Sequence, residues 1–159
     1  MADPLGLRVG LALLRVHQAV YEATDGRVGH RSLGVPCLLL RTTGRRTGQT
    51  RTTALVYAHD GDDYLVVPSV GGRDRAPGWL HNVRARPDVG VQVARRRFAA
   101  RATVVERGDP DFDRLWRLVN ANNRGRYERY QGRTTRPIPV VRLRHLGTAD
   151  ADGPYFSRA

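Results

Sequence analysis

The stretch Val35-Pro36-Cys37-Leu38-Leu39-Leu40-Arg41-Thr42-Thr43-Gly44-Arg45-Arg46-Thr47-Gly48-Gln49-Thr50-Arg51 decides the fold. Residues 35–40 form a short apolar run bounded by turn signals, which reads as a buried strand. Residues 51–59 are rich in β-branched and aromatic side chains. Asp60-Gly61 then supplies a turn, and Tyr64–Pro68 reads as a further strand, so the centre of the chain is built from hairpins.

Outward from this centre the pattern repeats. Residues 77–86 read as a short helix that starts after Pro77 and is stopped by Pro87. Val89, Val91 and Val93 alternate with smaller or polar residues, Arg95-Arg96-Arg97 marks a turn, and Phe98–Glu106 returns as the partner strand. Asp109-Pro110-Asp111 opens a helix to about Asn122 with Phe112, Leu115, Trp116 and Val119 on its apolar face. Ile138–Leu143 is expected to be the last strand. Towards the amino terminus, residues 5–24 read as a helix and 26–34 as a loop. The expected architecture is a β-rich α+β fold: a small β-barrel of about six mainly antiparallel strands with peripheral helices. It forms one domain over residues 1–146, with a flexible tail at 147–159.

Composition narrows the function classes. The formal charge is +12 and no lysine occurs, so the positive charge is carried by arginine, whose planar fork suits phosphate and carboxylate. That excess predicts an anionic partner, whether nucleic acid, a membrane surface or a polyanionic cofactor. An aromatic content of 7% offers little for a base-stacking platform. Cys37 stands alone, which rules out an internal disulfide and favours a reducing compartment, the cytoplasm. No apolar run approaches the roughly 20 residues of a spanning helix, and no signal-peptide pattern is evident. The 5–24 helix is expected to pack on the domain or, in the sharper reading, to touch a membrane surface. Histidines 17, 30, 59, 81 and 145 are scattered without metal-ligand spacing, and no nucleophile elbow is present. No metal site is expected; such an enzyme would draw its chemistry from an organic cofactor.

Four segments are candidates for that site. Gly44 and Gly48 would let backbone amides approach a ligand, with charge-assisted donors from Arg45, Arg46 and Arg51 and neutral ones from Thr47 and Gln49. A charged surface turn explains the same residues equally well. Ser69-Val70-Gly71-Gly72 directly follows a strand and would admit a ring or phosphate, or would be a plain loop. Trp79 and Asn82 share one side of a helix, as ligand-facing residues or as core and cap. Tyr127 and Tyr130 share a face, either for packing or to present phenols as proton donors.

Taken together, the stretches LLLRTTGRRTGQTR, PSVGG, PGWLHNVRARPDVGVQV and YERYQGRTTRPIPVV resemble the deazaflavin (coenzyme F-420)-dependent nitroreductase and quinone reductase family over about residues 5–145. The resemblance implies a split barrel related to flavin reductases. It implies that the Gly44–Arg51 loop holds the phosphate and oligoglutamyl tail of reduced coenzyme F-420, the hydride donor. It implies that Ser69, Val70, Gly71 and Gly72, with Trp79 and Asn82, line the deazaflavin site. Tyr127, Tyr130 and Ser69 then serve catalysis, facing a small acceptor such as a quinone, enone or nitro compound. Departures are Val70 for a lysine, Leu80 for a tyrosine, and Arg124 where some relatives carry a substrate-facing tyrosine. Competing expectations are an FMN- or haem-binding split barrel and a basic nucleic-acid-binding module. Nucleic acid is not the expected partner, and the assembly is expected to be a monomer or homodimer.

Overall fold

The computed structural model describes residues 4–32, 34–147 and 155–156. Its elements in chain order are α1 (Pro4–Ala23), β1 (Arg31–Ser32), β2 (Val35–Thr43), β3 (Thr50–Asp60), β4 (Asp63–Val66), α2 (Gly78–Ala85), β5 (Asp88–Val93), β6 (Arg96–Val105), α3 (Phe112–Asn122), α4 (Arg126–Gln131) and β7 (Val140–His145). A single 3-10 turn, Val70–Gly72, follows β4.

All strand pairs are antiparallel, in the order β1-β2-β3-β4-β7-β6-β5. Pairing of β5 back onto β2, through Leu38↔Val93 and Leu40↔Val91, closes six strands into a barrel. Closure leaves strands β2 to β7 without an open edge. The expected split barrel of about six strands with helices around it is the fold observed.

The apolar run of β2 follows from burial on two sides. Leu38 and Leu40 point into the barrel with Val66, Val91, Phe98 and Leu143. Cys37 and Leu39 point outward and are covered by Tyr21 of α1. Tyr21 is fully buried; its hydroxyl donates to the Cys37 carbonyl at 3.2 Å and accepts the Ala94 amide at 2.8 Å. Burial pushes this phenol up to about 12. On another face of α1, Leu13, Val16 and Val20 are exposed. Helix α2 caps one end of the barrel, since Trp79, Leu80 and Val83 complete the interior cluster. Helices α3 and α4 cover a second cluster in which Phe112, Leu115, Trp116, Val119 and Tyr127 meet Leu65, Ile138 and Val140.

Several boundaries differ from expectation, each for a local reason. β2 runs on to Thr43 because Thr42 and Thr43 pair with Arg51 and Thr50. The β5–β6 connection is shorter than the arginine triplet suggests: Val93 pairs with Arg96, and Ala94 takes a left-handed φ of 50° in a two-residue turn. β7 begins at Val140 rather than Ile138, as Pro139 has no amide to give to a ladder. In the tail, the Tyr155 hydroxyl donates to the Asp88 carbonyl, and Phe156 lies under the guanidinium of Arg41. Those two residues are packed rather than loose, and the other tail residues from 148 onward lie outside the described residues.

Candidate active site

The arginine segment is the hairpin between β2 and β3. Gly44 and Gln49 close it, the Gly44 amide donating to the Gln49 carbonyl and the Gly48 amide to the Gly44 carbonyl, each at 2.8 Å. Each glycine is required by geometry. A Cβ on Gly44 would lie 2.6 Å from Thr47 Oγ1, and Gly48 has a left-handed φ of 68°.

Helix α2 holds this loop from the other side. Asn82, 9% exposed, accepts the Arg45 amide on Oδ1 at 3.1 Å and donates from Nδ2 to Thr42 Oγ1 at 3.0 Å. Asn82 is thus a pin between the barrel cap and the loop. Because Leu80 and Val83 are locked in the core, the pin cannot drift.

Between loop and helix lies a cleft of about 570 Å³. Arg45, Arg46, Arg51 and Arg75 supply its charge, and Thr47, Trp79, His81 and Asn82 its remaining recognition groups. Among the described residues, no acidic side chain lines it. Arg51 is steadied by donation to Gln49 Oε1 at 3.0 Å. His81 is held below its ordinary value by burial, and further by the positive charges of Arg45, Arg84 and Arg75. Such a wall suits an extended anion, because several guanidiniums in one concavity repel each other until an anion separates them.

The Ser69–Gly72 segment forms a second corner. Val70, Gly71 and Gly72 have successive left-handed φ values of 46°, 66° and 84°. For the β-branched Val70 this conformation costs on the order of 1–3 kcal/mol and must be imposed by its surroundings. Arg136 imposes it: its guanidinium donates to the carbonyls of Pro68, Ser69 and Arg73 at 3.1, 3.4 and 3.2 Å. Thr134 adds a 2.6 Å donation to Asp74. Gly72 lies against α4, where a Cβ would come within 2.5 Å of the Tyr130 carbonyl.

The structure therefore gathers the sequence candidates into two groups. Gly44, Arg45, Arg46, Thr47, Arg51, Trp79 and Asn82 share the cleft, with Gly48 and Gln49 shaping its loop. Ser69, Val70, Gly71 and Gly72 form the corner, where Gly72 lies against the Tyr130 carbonyl, and the segment from Arg73 to Pro77 joins corner to cleft. The two tyrosines part company. Tyr127 is 6% exposed and packed with Trp116, and burial pushes its phenol well above the ordinary tyrosine range. Tyr130 is half-buried, with Arg133 over its ring. Thr53, which also lines the cleft, Arg75 and Arg136 were not legible from the sequence as parts of this site. Arg75 carried a weak signal, a cation just ahead of the Pro77 that starts α2.

A closed antiparallel barrel, capped by a helix over an arginine-lined cleft, defines a split-barrel protein built to hold an anionic organic cofactor. The family model described as F-420H(2)-dependent quinone reductase matches residues 13–145. An F-420H(2)-dependent quinone reductase of Mycobacterium tuberculosis is 57% identical over 136 residues, covering 85% of this chain and 91% of the relative. The solved structure of an F-420-H2-dependent reductase is 31% identical with a TM-score of 0.60, covering 68% of this chain and 93% of the other. A second solved structure, described as a domain-swapped dimer, is 26% identical with a TM-score of 0.63, covering 86% and 98%. The chain belongs to the F-420H(2)-dependent quinone reductase family.

Proposed function

We propose that this protein is an oxidoreductase that passes a hydride from reduced deazaflavin coenzyme F-420 to a small electron-poor acceptor, a quinone ahead of an enone or nitro compound. The observation that carries this reading is the Asn82-pinned, arginine-lined cleft in a chain of this family. The donor set fits the group, with four guanidiniums, the Thr47 hydroxyl and no acid among the lining residues. When bound, the reduced deazaflavin supplies the hydride; the chain supplies orientation and electrostatics.

Gly44, Arg45, Arg46, Thr47, Gly48, Gln49 and Arg51 hold the phosphate and the carboxylate tail. Trp79 and Asn82 fix the cleft wall. Ser69, Val70, Gly71 and Gly72 offer a rigid backbone edge to the ring. Tyr130, half-buried rather than enclosed, would give the compensating proton, with the buried Ser69 hydroxyl as the second donor. Tyr127 contributes by packing beneath Tyr130, with ring centroids 6.3 Å apart. The exposed stripe Leu13, Val16 and Val20 supports contact of α1 with an apolar partner, a membrane surface or a second protomer. Sizing the protein with and without lipid vesicles separates those partners. No described helix is long and apolar enough to cross a membrane.

The test is a spectroscopic titration with oxidised F-420. Arg45→Ala and Arg51→Ala should each weaken binding by about tenfold or more, the expected effect of a lost charged hydrogen bond at roughly 1.5–3 kcal/mol. Absence of binding, or two variants that bind like the parent, refutes the reading.

A further inference from the structure

His81 is the one titratable group near neutrality in an otherwise permanently charged cleft. Its position on α2 is fixed, because the preceding residue, Leu80, is 1% exposed in the barrel core and the following residue, Asn82, is hydrogen-bonded in both directions. Among the described residues, no hydrogen bond or ion pair engages its ring.

The charges that face it come from three directions. Arg45 projects from the β2–β3 loop, Arg75 from the segment ahead of α2, and Arg84 from the next turn of α2 itself. Arg46 and Arg51 line the same cleft, and no acid does among the described residues. Arg84 is partly answered by its ion pair with Glu106, whereas Arg45 and Arg75 have no such partner among the described residues. In the free protein, an imidazolium here would add one more positive charge to this crowd. An anion in the cleft reverses the balance, since every cation around His81 then faces a countercharge.

We propose that His81 is a further anion-binding group of the cleft, neutral in the free protein and protonated from solvent when the anionic portion of the cofactor is seated. This rests on the cofactor reading above. A fifth arginine would repel its neighbours in the free protein at every pH. A histidine adds the charge, and a charge-assisted donor, only when the anion is present.

The sign of the linkage is fixed. Burial and the surrounding arginines lower the free-state value below the ordinary 6.5. The bound anion raises it. Between the two values, binding takes up a proton. Affinity is highest below the free-state value and falls as pH rises through the bound-state value, by about tenfold per unit of separation.

The experiment follows the His81 Cε1–H resonance against pH, with and without oxidised F-420; His81→Gln identifies the signal. Calorimetry near pH 6 in two buffers of different ionisation heat counts the protons taken up. The midpoint should move upward on binding, and net proton uptake should be lost in His81→Gln. The wild-type titration stands even if that variant folds poorly. Binding with an unmoved His81 midpoint, or uptake unchanged in His81→Gln, overturns this inference alone. Absence of binding overturns the cofactor reading and the role of His81 with it.

Discussion

Replacing Asn82 by alanine should damage stability and cofactor binding together, by amounts that follow from two hydrogen bonds. Asn82 accepts the Arg45 amide and donates to Thr42 Oγ1, and Thr42 is fully buried. Each bond contributes about 1 kcal/mol net, and Thr42 loses the donor to its buried hydroxyl, so a loss of about 2–3 kcal/mol is expected. The binding effect has a different origin. Without the pin, the backbone at Arg45 must be ordered when the anion arrives, at about 1–2 kcal/mol for one residue. Affinity for oxidised F-420 should therefore fall about tenfold, with no guanidinium removed. Urea unfolding gives the first quantity and spectroscopic titration the second. The double variant Asn82→Ala with Arg45→Ala completes the cycle. Because the pin holds the Arg45 backbone, Arg45→Ala should cost less affinity in the Asn82→Ala background than alone, with a coupling above about 0.5 kcal/mol. If Asn82→Ala changes stability by under about 0.5 kcal/mol and affinity by under twofold, the pinned-loop account is wrong.

Further expectations concern the scaffold. Tyr21→Phe removes the acceptor of the Ala94 amide and the donor to Cys37, and should cost about 1–2 kcal/mol in chemical unfolding; an unchanged midpoint would count against the buried network. Gly72→Ala combines a φ of 84° with a Cβ 2.5 Å from the Tyr130 carbonyl. It should lower the melting temperature through a cost on the order of 1–3 kcal/mol and raise the KM for acceptor, as the corner moves; kinetics matching the parent would separate that corner from turnover. Asp60 accepts both Arg114 nitrogens at 2.6 and 2.9 Å, with Arg142 also near, which holds its carboxyl below its ordinary value. Its stabilisation is therefore complete above the unfolded-state value near pH 4 and is lost as pH falls through the lower folded-state value. Asp60→Asn should flatten that part of the acid-unfolding curve, and an identical curve would show that the pair contributes nothing to it.

Local chemistry settled a good deal of this molecule. The run Val35–Leu40, short, apolar and bounded by turn signals, declared a buried strand, and packing then covered it on both faces. Gly44 and Gly48 bracketing Arg45 and Arg46, with Arg51 just beyond, declared a cationic connection between two strands, as a surface turn or an anion cradle. The spacing of Phe112, Leu115, Trp116 and Val119 declared a helix with one buried side. What the sequence could not supply was which surface meets which. Tyr127 and Tyr130 share a helical face by spacing, yet only the packing of α4 on Trp116 buries one and leaves the other half open. Closure of β5 on β2, the reach of Asn82 to Arg45, the hold of Arg136 on the strained Ser69–Arg73 backbone, and the gathering of Arg75 and His81 beside the hairpin are all long-range events. Periodicity reports that a face is apolar or charged. It carries no information about the partner that covers that face, because the partner is chosen by barrel closure and by the helix that caps it. The sequence by itself determined the strands, the hairpins and the cationic loop, and tertiary packing decided that the loop is one wall of a cleft.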